Sequence, residues 1–111
     1  MAEDSIIHLY RAVGYAEFCN LISTKKFSLR PNGLEAKYFG MNFTETLDFA
    51  NRVFNIHVVA IIEVIANKQT IKEIGDFTRV DTTVFKSGTL EIDKVHLNRF
   101  NNSIIEIKHV Y

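Results

Sequence analysis

Arg11 is the cation of this sequence that is best placed to do chemistry. It follows Leu9 and Tyr10 in an apolar segment and comes three residues before Gly14. A guanidinium at the end of a strand can form paired hydrogen bonds to a phosphate or a carboxylate. It can equally form a salt bridge at the edge of a sheet, and the sequence leaves both roles open.

Carboxylates beside apolar segments are the second group of candidates: Glu35, Glu45, Glu63 and Glu91. Glu91 lies between Leu90 and Ile92, and a glutamate with apolar neighbours on a strand can reach into a cleft as a catalytic group. The same alternation also suits a glutamate that points outward from a half-buried strand. Glu63 ends an apolar run, so we expect it on a deeply buried strand.

Metal and phosphate-loop signatures are not found in the sequence. No two of the histidines, at positions 8, 57, 96 and 109, share a helical spacing or alternate on one strand, and no second cysteine pairs with Cys19. The closest glycines, Gly33 and Gly40, are seven residues apart, which fits neither a Walker loop nor a dinucleotide fingerprint. We interpret Cys19 as a buried small apolar residue and expect no metal.

Composition predicts a single soluble domain over residues 1–111. Apolar residues make up 47%, and 13 basic residues balance 13 acidic ones. Zero net charge argues against binding that depends mainly on phosphate neutralisation, and the apolar content argues against disorder. The longest apolar run, Val58 to Ile62, is far shorter than the ~20 residues of a membrane span. The acidic N-terminus has no signal-peptide core, so we expect neither a membrane partner nor a targeting signal.

The order of elements predicts an α+β domain with small mixed or antiparallel sheets and two to four short helices. Apolar residues at helical spacing predict helices at about 15–23 and 44–54, with Asn42 or Thr44 as the N-cap of the second. Shorter helices are predicted at Thr70–Ile74, ended by Gly75, and near Val95–Phe100. The predicted strands are Ile6–Val13, Leu34–Phe39, Ile56–Ile65, Thr82–Phe85, Thr89–Ile92 and Ile104–Val110. Ile56–Ile65 is expected to be the central strand, and Lys86-Ser87-Gly88 a hairpin turn.

Several segments, taken in order, resemble a known family. They are Leu9-Tyr10-Arg11-Ala12-Val13, a helix that ends near Lys25-Lys26-Phe27, the run Gly33 to Phe39, and Phe43 to Ala50. This first half of the chain resembles the C-terminal toxin domains of bacterial polymorphic toxins, including Rhs-type proteins, which look ADP-ribosyltransferase-like. The resemblance implies an ADP-ribosyltransferase-like fold that binds NAD, as substrate, in a cleft between two small sheets.

The resemblance also implies roles for individual residues. Arg11 would contact the NAD phosphate or ribose and take part in catalysis, with Tyr10 and Glu35 beside it at the NAD site. Tyr38 and Phe39 would pack against the nicotinamide, so that Arg11 and Tyr38 would lie on one cleft. Glu91 would be the catalytic carboxylate that stabilises the positive charge developing on the ribose.

The resemblance therefore implies that the chain is a toxin domain, which transfers ADP-ribose from NAD to a protein or RNA in a competing cell. The resemblance implies delivery into the recipient cell's cytoplasm as part of a larger secreted protein, and a cognate immunity protein as partner. One alternative is a metal-free ribonuclease toxin, with acid–base groups drawn from His8, Glu35, Lys37, His57 and His109. Another is a binding or immunity module without enzymatic activity.

Overall fold

An antiparallel sheet organises the part of the chain that the structure, a computed structural model, describes: residues 5–28, 36–53, 60–78 and 85–111. Its strands are β1 (Ile6–Val13), β2 (Lys37–Gly40), β3 (Ala60–Asn67), β4 (Asp76–Thr78), β5 (Thr89–Ile92) and β6 (Ile104–His109). The α-helices are α1 (Tyr15–Thr24), α2 (Phe43–Val53), α3 (Lys68–Ile74) and α4 (Leu97–Ser103), the last preceded by a 3-10 turn at Lys94–His96. The predicted α+β class is therefore confirmed. The described residues form a single six-stranded antiparallel sheet, and not the several small mixed or antiparallel sheets, with a cleft between two of them, that were predicted.

The six strands are arranged in the order β4-β5-β2-β1-β3-β6, and each neighbouring pair is antiparallel. Residues paired across neighbouring strands point to the same face of a sheet, and successive residues alternate between faces. The register Tyr10↔Gly40 and Tyr38↔Glu91 therefore places these four residues on one face, which we call the cavity face. The other face, which we call the core face, carries Leu9, Phe39, Val64 and Leu90.

The core face packs against helices α1, α3 and α4. Leu21, Ile71 and Phe100 contribute one buried side chain from each helix, and Phe27 joins them from the segment after α1. Helix α3 begins where the Asn67 side chain accepts a hydrogen bond of 2.9 Å from the Thr70 amide. Helix α2 lies on the cavity face, against β1 and β2.

The two long helices were predicted at nearly their observed positions, because their apolar stripes follow the helical period. The predicted central strand is confirmed as a buried interior strand only over its described part, from Ala60. It is not central, because β1 and β2 occupy the middle of the sheet and β3 lies one place from the edge. The predicted start of that strand, residues 56–59, lies outside the described residues, as does residue 54.

The predicted hairpin is only partly observed. The turn is present, with the Gly88 amide donating to the Phe85 carbonyl at 3.0 Å and Gly88 at a φ of 89°. Residues 82–84 of its predicted first arm lie outside the described part of the chain. Strand β5 pairs with β2 and with β4. Strand β4 is not among the predicted strands, because a three-residue segment is too short for alternation to reveal it.

None of the helices within the described residues is long and apolar enough to cross a membrane.

Candidate functional site

A cavity of about 350 Å³ lies on the cavity face, where β1, β2 and β5 approach helix α2. Its wall is formed by Tyr10, Arg11, Ala12, Ala36, Tyr38, Phe39, Gly40, Thr46, Phe49, Phe85 and Thr89. Most of these side chains are aromatic or small, and the volume falls within the range of ordinary small-molecule sites. The cavity is therefore suited to a flat, largely apolar group such as an aromatic ring.

Small residues leave room beside the sheet for this cavity. Ala12 and Gly40 lie on the two central strands, β1 and β2. A Cβ added at Gly40 would overlap the Thr46 hydroxyl and would lie 3.1 Å from the ring of Phe85. Glycine at position 40 therefore lets helix α2 and Phe85 approach the sheet closely.

Helix α2 and the turn after Phe85 hold each other in place. Asn42 caps the helix, since its Oδ1 accepts a hydrogen bond of 2.8 Å from the Glu45 amide. The Glu45 carboxylate in turn accepts hydrogen bonds from the Ser87 amide at 3.1 Å and from the Ser87 hydroxyl at 2.9 Å. Burial raises the pKa of Glu45, but the hydrogen bonds from Asn42 and Ser87 and the nearby charge of Lys86 outweigh it, so the pKa is lowered. These contacts fix Phe85 against Phe49, at a ring-centroid distance of 5.1 Å.

Tyr38 and Glu91 are direct partners across strands β2 and β5. Tyr38 lines the cavity and is 44% exposed, while Glu91 is half-buried one strand further on and does not itself line the cavity. Thr89, two residues from Glu91 on the same face, does line it. Tyr38, which lines the cavity, and Glu91, which does not, are therefore cross-strand neighbours on the same face of the sheet.

The Arg11 guanidinium forms a salt bridge, one of the two roles that the sequence left open, but on the central strand β1 and not at the edge of the sheet. Its Nε and Nη2 donate to the two carboxylate oxygens of Glu17 at 2.7 and 3.1 Å. Its Nη1 donates to the backbone carbonyl of Tyr38 at 2.9 Å, and its Cζ lies 5.9 Å from the centre of the Phe39 ring. Strand alternation places this side chain on the core face, opposite the Tyr38 ring. The two side chains therefore do not face one cleft, although both residues contribute to the cavity wall.

The other residues that the resemblance assigns to NAD are distributed unevenly. The Phe39 ring is 1% exposed and packs against Phe27 and Phe100 at 5.3 and 5.1 Å, so it belongs mainly to the core. Tyr10 lines the cavity from β1. Glu35 lies outside the described residues.

A second polar cluster lies further along the cavity face, and the spacing of its residues in the sequence does not predict it. Glu63 is paired with Tyr10 across β1 and β3, and its Oε2 accepts a hydrogen bond of 2.6 Å from the Tyr10 hydroxyl. The same oxygen lies 3.1 Å from Nδ1 of His8, which shares this face because it is two residues from Tyr10. That alternation could have been read from the sequence, but the pairing with Glu63 depends on the register of strands 53 residues apart.

The electrostatics of this cluster keep Glu63 charged. Burial opposes ionisation of Glu63, but hydrogen bonds from Tyr10 and His8 and the charges of His8 and Lys108 outweigh it and lower the pKa of the carboxyl. Burial, the hydrogen bond to Glu63 and the charge of Glu63 together raise the pKa of Tyr10 to about 12. Because an ionised carboxylate can only accept, His8 must donate through Nδ1, which leaves Nε2 as the basic nitrogen when the ring is neutral.

The single cysteine is exposed and not buried, which corrects the sequence interpretation. Leu21 is the buried residue of α1, and Cys19 lies two positions, or about 200° around the helix, from it. Within the described ranges, no three His, Cys, Asp or Glu side chains are grouped so that they could hold a metal ion. His57 lies outside those ranges.

Comparisons with known proteins give no relative: no family model, no curated protein and no solved structure matches the chain.

Proposed function

We propose that the chain is a toxin domain that transfers ADP-ribose from NAD to a protein or RNA of a competing cell. The observation that carries the proposal is the pairing of Tyr38 with Glu91 on the face that holds the cavity. The resemblance of the first half of the chain to ADP-ribosyltransferase-like toxin domains supplies the reaction. A cognate immunity protein and delivery as part of a larger protein belong to the same proposal.

The cavity suits the nicotinamide end of NAD. Nicotinamide is a small flat ring, and the aromatic side chains of Tyr38, Phe49 and Phe85 can pack against it. Ring packing at the cavity would bring the attached ribose toward Tyr38 and its neighbour Glu91. When the bond from the ribose C1′ to nicotinamide breaks, the ribose gains positive charge and nicotinamide leaves as a neutral molecule. A nucleophilic oxygen or nitrogen of the acceptor, or of water, then bonds to C1′ and releases its proton. A fixed carboxylate beside that ribose lowers the barrier, because it stabilises charge that develops in the transition state.

The test is the release of nicotinamide from NAD by the purified domain and by its Glu91→Gln variant. Glutamine keeps the shape and hydrogen bonding but removes the charge, so turnover should fall on the order of a hundredfold or more while NAD binding changes little. Glu106→Gln is the matched control, because Glu106 is an exposed strand glutamate on β6, far from the cavity. A wild-type domain that releases no nicotinamide, or a Glu91→Gln variant with normal turnover, would refute the proposal.

The cluster of His8, Glu63 and Tyr10 favours a second candidate, a metal-free ribonuclease. A histidine held by a carboxylate through Nδ1 presents Nε2 as a general base for a ribose hydroxyl. This centre is separate from Glu91. Two strand spacings of about 4.8 Å and four residues of about 3.3 Å put the Cα atoms of His8 and Glu91 on the order of 16 Å apart.

RNA fragments, counted in the same reaction as released nicotinamide, separate the two candidates. Cleavage that falls at least a hundredfold in His8→Gln would favour the ribonuclease. The matched control is His96→Gln, because Nδ1 of His96 also lies against a carboxylate, that of Asp93 at 2.7 Å, but in the 3-10 turn Lys94–His96 and outside the cluster of His8, Glu63 and Tyr10. Intact RNA, or equal loss in both variants, would eliminate this candidate.

A further inference from the structure

The two central strands of the sheet, β1 and β2, are joined over a very short length. The register contains one residue pair between them, Tyr10↔Gly40, whereas β1 and β3 are paired from Ile6 to Val13. Tyr38 lies two residues before Gly40 on β2 and is not registered against β1. Its backbone therefore needs another connection to that strand. Tyr38 is the residue that lines the cavity and adjoins Glu91, so the position of this short strand determines the geometry of the proposed site.

The Arg11 guanidinium supplies that connection. Its hydrogen bond of 2.9 Å to the Tyr38 carbonyl joins β1 to β2 next to the single registered pair. The contact with the Phe39 ring adds a second point on the same strand. A long arginine side chain can hold such a position only if its remaining donors are fixed as well, because an unrestrained side chain retains considerable rotamer freedom.

Glu17 provides the fixed point, from the first turn of helix α1. Its two oxygens accept from Arg11 at 2.7 and 3.1 Å, in the bidentate geometry that favours arginine over lysine. The Lys37 ammonium at the start of β2 lies 3.6 Å from the same carboxylate. Burial raises the pKa of Glu17, but the hydrogen bonds and charges of Arg11 and Lys37 outweigh it and lower the pKa, which keeps Glu17 ionised.

We infer that Glu17 is a positioning residue for the cavity: it holds Arg11 so that the guanidinium fixes Tyr38 and strand β2 against β1. The chain of contacts runs from Glu17 through Arg11 to the Tyr38 backbone, and from Tyr38 across the strand pair to Glu91. Arg11 then acts through the backbone of β2 and not as a ligand of a substrate phosphate. The inference rests on the proposed function wherever turnover is the readout.

The two roles for Arg11 predict opposite effects of removing Glu17. If Arg11 bound a phosphate of NAD, loss of Glu17 would release the guanidinium for that phosphate, and KM would stay the same or fall. If Glu17 and Arg11 act as one positioning unit, loss of either misplaces Tyr38 and Glu91. Misplacement of catalytic groups by about 1 Å can lower turnover a hundredfold without contact to the substrate.

The kinetic test compares Glu17→Gln, Arg11→Met and the double variant in nicotinamide release from NAD. We expect each single variant to lower kcat about tenfold or more, KM to change by less than about threefold, and the double variant to be no worse than either single one. Arg11→Lys should not restore kcat, because an ammonium cannot bridge the carboxylate and the Tyr38 carbonyl as a planar fork does. Unchanged kcat in Glu17→Gln, a lowered KM in that variant, or additive losses in the double variant would overturn the inference.

Glu73→Gln is the matched control. It breaks another Arg–Glu pair, Arg99–Glu73 at 2.7 Å, which joins α3 to α4 at an exposed site away from the cavity. We expect this variant to keep normal kcat and KM.

A second measurement does not depend on the reaction. Amide hydrogen exchange at Gly40 of β2 reports on the contact with β1, because its amide lies on the same side of the strand as the Tyr38 carbonyl that accepts from Arg11. This exchange should speed up at least severalfold in Glu17→Gln but not in Glu73→Gln, because only the first variant releases β2 from β1. Unchanged exchange in Glu17→Gln would overturn the inference. If the wild-type domain releases no nicotinamide, the proposed function fails, and the exchange data still decide whether Glu17 positions β2.

Discussion

At the scale of single residues, the cavity depends on the absence of a side chain at Gly40 as much as on its aromatic residues. Tyr38, Phe49 and Phe85 supply its aromatic wall, but Gly40 leaves the space between the sheet and helix α2. In the sequence Gly40 is a single glycine after an aromatic segment, which suggests a turn, whereas it is the last residue of β2. The close approach of Thr46 and Phe85 could not be predicted, because both arrive from other elements.

Gly40→Ala should destabilise the domain by roughly 1–3 kcal/mol, because a methyl group at this position overlaps the Thr46 hydroxyl and crowds Phe85. Thr46→Ala removes that hydroxyl, so the double variant Gly40→Ala/Thr46→Ala should be destabilised by less than the sum of the single effects. Denaturant unfolding of the four proteins measures the coupling. Strictly additive losses would show that the two side chains do not compete for the same space.

At the scale of elements, local patterns predict the helices and strands, while contacts distant in sequence assemble the site. Strand β1 and helices α1 and α2 follow from strand propensity and helical spacing, since both signals lie within one segment. Strand β4 does not, since its pairing with β5 decides its conformation. Likewise, His8 and Tyr10 share a face by simple alternation, but Glu63 joins them only through the register of β1 with β3.

Asn101 illustrates such a long-range contact and provides an element-scale prediction. Its side chain, on helix α4, accepts from the Phe27 amide at 2.8 Å and donates to the Phe27 carbonyl at 2.9 Å. Asn101→Ala leaves both backbone groups without this partner beside a buried ring, so unfolding free energy should fall by about 1–3 kcal/mol. Asn102→Ala, on the exposed side of the same helix, should change it by less than about 0.5 kcal/mol. Equal effects of the two variants in thermal unfolding would contradict this account.

At the scale of the whole molecule, zero net charge conceals two half-buried carboxylates that connect elements of the fold. Glu17 connects α1 to β1 and β2, and Glu63 connects β3 to β1. The side chain of Glu17 is 21% exposed and that of Glu63 is 13% exposed. Balanced composition predicts no such arrangement, because the total charge is the same whether these groups are paired inside or scattered outside.

The acid stability of the domain should follow these two groups. Burial opposes ionisation of both carboxyls, but hydrogen bonds and nearby cations lower the pKa of Glu17 and of Glu63 below the ordinary value of about 4.3. Below that value the unfolded chain binds protons that the folded domain does not, so stability must fall as the pH is lowered. The contribution of the two carboxylates to stability is complete above about pH 5 and is lost as the pH falls through the folded-state pKa values.

In Glu17→Gln one of these two groups no longer titrates. Urea unfolding between pH 7 and pH 3 should therefore show the wild type losing its advantage over this variant as the solution becomes acidic. Unfolding free energies that differ by a constant amount across that range would show that Arg11 and Lys37 do not hold Glu17 in its ionised form.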